Sequence, residues 1–147
     1  MDVKIRKLDP NIELPQYHTS ESAGFDIASN IDTVIQAHEV AKIPTGLVFE
    51  APKGHFLLIA ARSSLPVKKG LMMANGIGVV DPDYAGPNDQ VHLLIYNFTD
   101  KPVEVKKGER LAQGLFLPIE QAQWVEVGEL RQKDRGGIGS TEGYKNK

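Results

Sequence analysis

Cysteine is absent from the 147 residues, so thiol catalysis, a Cys-ligated zinc site and disulfide stapling are all excluded. No apolar run approaches the roughly 18 residues that a bilayer-spanning helix needs. Nor does the N-terminus, Met1-Asp2-Val3-Lys4-Ile5-Arg6-Lys7, hold the apolar stretch of a signal peptide. A dominant charge is missing too. Lys plus Arg number 17 against 19 Asp plus Glu, which speaks against nucleic acid or an anionic membrane as partner. Phosphate-binding glycine loops of the G-x-x-x-x-G-K-[ST] kind do not occur, and His18, His38, His55 and His92 lack metal-ligand spacing. What remains is expected to be a soluble, cytosolic single domain, with 41% hydrophobic and 24% charged residues.

Fourteen Gly and nine Pro punctuate the chain at short intervals. Between them lie runs rich in β-branched and aromatic residues, at 3–8, 45–50, 55–61, 91–97, 102–106 and 111–117. Short strands with frequent turn signals predict an all-β sandwich or barrel. Residues 25–43 hold no Gly or Pro, and Ile27, Ile31, Val34 and Ile35 fall at helical spacing. Asn30, Asp32 and Thr33 oppose a helix there, so strand–turn–strand is expected. One short helix is expected at residues 63–69, with Ser63 as cap and Pro66 in the first turn. The body is placed at 1–130. Residues 131–147 differ in character, with four glycines and little that is apolar besides Ile138 and Tyr144. Five cations there against Asp134 and Glu142 divide the net −2 into a body of −5 and a tail of +3. Such a tail cannot bury enough surface to order itself and is expected to be mobile.

Four polar, Gly-punctuated segments interrupt the β pattern. In Ala23-Gly24-Phe25-Asp26-Ile27, the carboxylate serves either a site or turn amides. In Arg62-Ser63-Ser64-Leu65, an Arg, two hydroxyls and helix-start amides could hold an anion; the plainer alternative is an N-cap beside a surface Arg. The third segment runs from Asn75-Gly76, a hairpin turn signal, to Asp81-Pro82-Asp83-Tyr84-Ala85-Gly86. Its two carboxylates, one residue apart, share a face if the strand continues, and form an acidic turn if it does not. In Arg135-Gly136-Gly137-Ile138-Gly139-Ser140-Thr141, the amides and hydroxyls suit a polyphosphate, unless the tail is only a tail.

With Lys107-Gly108-Glu109-Arg110-Leu111-Ala112-Gln113 as a further member, these segments in their order resemble the five motifs of the trimeric dUTPases. The match runs from Ala23 to Thr141. It implies a jelly-roll-like β-barrel subunit in a homotrimer, with active sites between subunits. It also implies hydrolysis of dUTP to dUMP and pyrophosphate with Mg²⁺ on the triphosphate, which supplies dUMP for thymidylate and keeps uracil out of DNA. By the resemblance, Asp81 activates the attacking water and Tyr84 packs on the deoxyribose. Asn75 and the backbone at Gly78, Val79 and Val80 read uracil. Arg62, Ser63, Ser64 and Gln113 bind phosphates, and Asp26 meets the metal through water. Gly137, Ile138, Gly139, Ser140 and Thr141 close over the nucleotide, with Arg135 gripping the γ-phosphate (Arg131 and Lys133 are alternatives). Arg110 is expected to be structural. Three departures stand out: about three extra residues near Pro87-Asn88-Asp89, a shortened fifth motif, and Ile138 where the family has an aromatic. Two alternatives are dCTP deamination on the same fold, with or without dUTP hydrolysis, and a non-catalytic nucleotide-sensing or protein-binding trimer. For the first, His92-Leu93-Leu94-Ile95 offers no carboxylate.

Overall fold

A computed structural model describes residues 1–131 and 133–134, and in it the chain is nearly all strand. Eleven strands occur among the described residues: β1 (Lys4–Lys7), β2 (Phe25–Ala28), β3 (Thr33–Ile35), β4 (Val40–Pro44), β5 (Leu47–Glu50), β6 (His55–Ala61), β7 (Leu71–Met73), β8 (Ile77–Val80), β9 (His92–Asn97), β10 (Val103–Val105) and β11 (Arg110–Pro118). The helix α1 spans Leu65–Lys69. No helix among these residues is long and apolar enough to cross a membrane.

Alternation explains the layers. In β2 and β9 every second residue is buried, so one face of each strand turns inward. A four-stranded antiparallel sheet, ordered β2-β11-β6-β8, lies over a three-stranded one, ordered β4-β9-β7, with ribbons β1-β5 and β10-β3 beside them. Neighbours distant in sequence, such as β2 and β11, mean that the chain crosses repeatedly between layers, as in a jelly roll. The core between the layers is aliphatic, with Ile27, Ile43, Ile59, Leu93, Ile95 and Leu111 almost wholly enclosed. An aromatic knot closes one end. Phe25 lies 5.7 Å from each of Tyr17, Phe49 and Phe116, ring centre to ring centre.

Three expectations need correction. Residues 25–43 form three strands rather than two, because the Ser29–Asp32 and Gln36–Glu39 bends both interrupt the run. Ser63 does not cap α1. Ser64 holds that position with φ −80° and ψ −16°, already helical, and makes no side-chain cap bond. The five-residue helix therefore offers too little aligned backbone to serve as an anion site. Finally, Asn75-Gly76 turns the chain as expected, with Gly76 at φ +72° and its N–H donating to the Met73 carbonyl. The flanking strands do not pair with one another, however. β7 joins β9 while β8 joins β6, so the turn passes from one sheet to the other.

Candidate active site

Strand register gathers one group of side chains. Asp26 on β2 lies opposite Gln113 on β11, which in turn lies opposite Ala60 on β6. Phe25 and Ile27 point into the core, so Asp26 points outward. Arg62 follows two residues after Ala60 and shares that outer face, one step before Ser63 and Ser64. Arg110 arrives there by an irregularity. The β11–β2 register slips between Arg110 and Ala112, a bulge that lets Leu111 and Ala112 both be buried. The bulge reverses the alternation and delivers Arg110 to the face that Gln113 occupies.

The result is a polar pocket of about 280 Å³ lined by His18, Ser22, Ala23, Gly24, Asp26, Arg62, Ser63, Ser64 and Gln113. Asp26 is its hub, with a side chain only 14% exposed. Oδ1 forms an ion pair with Arg62 Nε at 3.2 Å, and Oδ2 lies 3.2 Å from Arg110 Nη1 and 2.7 Å from His18 Nε2. Two guanidiniums around one carboxylate leave the cluster positive, which suits an anion. Gly24 is needed for closeness, since a Cβ there would lie 3.2 Å from the Gly114 carbonyl and 3.3 Å from Gln113 Oε1.

Asp26 has both oxygens engaged, so an ion could meet it only through a bridging water. No group of three or more His, Asp or Glu among the described residues could cage a metal. The donor set fits a cation carried on the ligand's phosphates.

A second group stands apart. Asp81 follows β8, and the Tyr84 N–H donates to the Asp81 carbonyl at 3.2 Å. The chain thus turns at once, and the shared-face reading of Asp81 and Asp83 gives way to the acidic turn. Asn75, Asp81 and Tyr84 are all exposed, Tyr84 by 44%. Gly78 packs close on Ile59, where a Cβ would come within 3.1 Å of the Ile59 Cβ. Register separates the two groups. Val80 faces Leu57, five residues before Arg62, which places the Asp81 turn about 17 Å along the sheet from the polar pocket.

His18, which residue spacing does not single out, and Arg110, expected to be structural, both contact the Asp26 hub. A bulge leaves no mark in residue order, and a loop His eight positions before Asp26 has no recognisable spacing. Arg135, Gly137, Ile138, Gly139, Ser140 and Thr141 lie outside the described residues. Arg131 and Lys133 are exposed.

Against known proteins, a family model described as dUTPase matches residues 10–142. A deoxyuridine 5'-triphosphate nucleotidohydrolase of Nautilia profundicola is 41% identical over 96% of this chain and 99% of its own. The crystal structure of a Streptococcus mutans dUTPase is 33% identical, with a TM-score of 0.76 over 84% of this chain and all of that one. A Staphylococcus bacteriophage 80alpha dUTPase with dUpNHpp matches the fold at 24% identity, with a TM-score of 0.84 over 95% of this chain and 97% of that one.

Proposed function

The chain belongs to the dUTPase family, and from that membership we propose that it hydrolyses dUTP to dUMP and pyrophosphate. One observation carries the reading to these residues. A cationic pocket for phosphates and an exposed Asp–Tyr turn lie at opposite ends of one strand ladder, too far apart to act together within one copy. We infer that they meet between copies, in a homotrimer with shared sites. Beyond β11, Trp124, Val125 and Leu130 are each at least 80% exposed, an apolar surface that a neighbouring copy could cover.

In this reading Arg62, Ser63, Ser64 and Gln113 of one copy hold the triphosphate. Asp81 of another accepts a proton from the water that attacks the α-phosphorus, and a positioned base of this kind contributes about 10²–10⁴-fold. The Tyr84 ring lies against the deoxyribose, where a 2′-hydroxyl would collide with it. Asn75 and the backbone of Gly78, Val79 and Val80 read the uracil edge. A polar mismatch such as cytosine can be rejected by about 10⁴–10⁵ at a site built to pair uracil. Mg²⁺, arriving on the triphosphate, would neutralise phosphate charge, with Asp26 in reach only through water. Residues 131–147, with Arg135 and the run Gly137, Ile138, Gly139, Ser140 and Thr141, are assigned to cover the bound nucleotide. The reaction supplies dUMP for thymidylate and, by consuming dUTP, limits uracil in DNA, in the cytoplasm.

Pyrophosphate release from dUTP, dCTP, dTTP and UTP, with and without Mg²⁺, tests the proposal. Release confined to dUTP and dependent on the ion is expected. Ammonia from dCTP would indicate the deaminase instead, and no turnover at all a nucleotide-binding trimer. Light scattering should give about three times 16.2 kDa, and an active monomer would refute the shared site.

A further inference from the structure

One side chain at the hub has no part in the reaction just proposed. His18 sits in the segment between β1 and β2, with 57% of its side chain exposed. Its Nε2 is 2.7 Å from Asp26 Oδ2, and Arg110 Nη1 touches both that nitrogen and that oxygen. A single ring nitrogen cannot satisfy both neighbours. Carrying a proton, it donates to Asp26 and opposes the Arg110 N–H. Without one, it accepts from Arg110 and sets its lone pair against the carboxylate. The 2.7 Å approach to Oδ2 is a hydrogen bond only with the proton on Nε2, and that bond keeps Oδ2 on the His18 side of the hub while Oδ1 turns toward Arg62.

The consequence falls on Arg62. Its Nε is ion-paired with Oδ1 at 3.2 Å, while its two terminal nitrogens have no acceptor among the described residues. A guanidinium gripped through Nε presents its other donors as a pair, the arrangement that suits phosphate oxygens. Those donors belong to the pocket that Ser63, Ser64 and Gln113 also line.

We propose that His18 is a positioning residue for phosphate binding: by fixing the rotation of the Asp26 carboxylate it aims Arg62 at the triphosphate. The inference rests on the dUTP hydrolysis proposed above, and is separable from it by a probe that is not turned over. Binding of inorganic tripolyphosphate to the full-length chain is measured by calorimetry for the wild type, His18→Ala, His18→Phe and His18→Gln, alongside dUTP kinetics. Gln can place an N–H near the position of Nε2, whereas Phe restores only bulk. His18→Ala and His18→Phe should weaken tripolyphosphate binding about three- to tenfold and raise KM by a similar factor, with kcat changed less than about twofold. His18→Gln should return both to within about twofold of wild type. Unchanged tripolyphosphate binding in His18→Ala, or a Gln variant no better than Phe, would overturn the proposal. If the wild type fails to release pyrophosphate from dUTP, the reaction falls, and the tripolyphosphate series still decides the role of His18.

Discussion

Gly114→Ala joins the packing of the fold to the geometry of the site. Gly114 lies on β11 opposite Phe25, directly beside the Gln113–Asp26 pair. A Cβ there would come within 2.5 Å of Phe25 Cζ, 2.7 Å of Cε2 and 3.0 Å of Leu57 Cδ1. The two Phe25 distances are closer than side chains tolerate and the Leu57 one is at the edge of tolerance, and the neighbours are ring and branch atoms of buried residues. Phe25 cannot swing aside freely, because Tyr17, Phe49 and Phe116 surround it at 5.7 Å. Overpacking of this kind costs about 1–3 kcal/mol, and the crowding on two sides places Gly114→Ala near 2–3. For a chain of this length that lowers Tm by roughly 4–12 °C, at about 2–4 °C per kcal/mol.

The same push travels one residue along β2. If Phe25 retreats, Asp26 retreats with it, so KM for dUTP should rise together with the loss in Tm. Phe25→Leu opens the space the methyl needs, so the double variant should be more stable than the sum of the two single losses predicts. Calorimetric melts at one fixed protein concentration, with dUTP kinetics on the four variants of the cycle, measure both effects. A Gly114→Ala protein within about 0.5 kcal/mol of wild type, or a strictly additive double variant, would refute the claim that this glycine sets how closely β2 and β11 approach.

Asp81→Asn keeps shape but cannot take up the water's proton, so turnover should fall by at least about 10²-fold while calorimetry with a non-hydrolysable dUTP analogue shows binding within a few-fold of wild type. His38 is the one non-glycine residue at positive φ among those described, at +60°. His38→Gly should therefore be more stable than His38→Ala by about 1 kcal/mol in denaturant titrations, the reverse of the usual order. Burial and, secondarily, Lys42 hold the His92 imidazole below its ordinary 6.5. As pH falls the unfolded chain gains the proton first, so this residue's contribution is whole above about 6.5 and erodes below it. Melts between pH 7.5 and 5 should fall less steeply for His92→Gln than for wild type.

Residue patterns exposed much of the architecture and only part of the site. The strands at 55–61 and 91–97 were legible because inward Leu57, Ile59, Leu93 and Ile95 alternate with outward residues, a period any half-buried strand must show. The 25–43 run was blurred because Ser29, whose hydroxyl donates to the Ile31 carbonyl, makes its bend without Gly or Pro. Asp26, Arg62, Ser63, Ser64 and Gln113 were found as separate segments, and the structure unites them. What could not be read was long-range register. Nothing in the order of residues says that Gln113 faces Asp26 on one side and Ala60 on the other, nor that a bulge at Leu111 turns Arg110 outward. His18 acquires its role solely from that register.

The distance between pocket and Asp81 turn is itself a product of these pairings. β6 is central in its sheet, bound to β11 on one side and to β8 on the other. Its C-terminal end delivers Arg62 to the Asp26 hub, while its N-terminal half pairs with the end of β8, from which Asp81 emerges. Antiparallel pairing forces the two groups to opposite ends, and no side-chain rotation recovers some 17 Å. Joining them within one copy would require β8 to slide along β6 by more than its own four-residue length, which would break every pairing between the two strands. A second copy avoids that conflict. Association would thus complete in trans what the ladder keeps apart in cis, and dilution below the assembly constant should abolish turnover while leaving tripolyphosphate binding at the Asp26 pocket in place. Turnover that persists in a demonstrably monomeric chain would refute the argument.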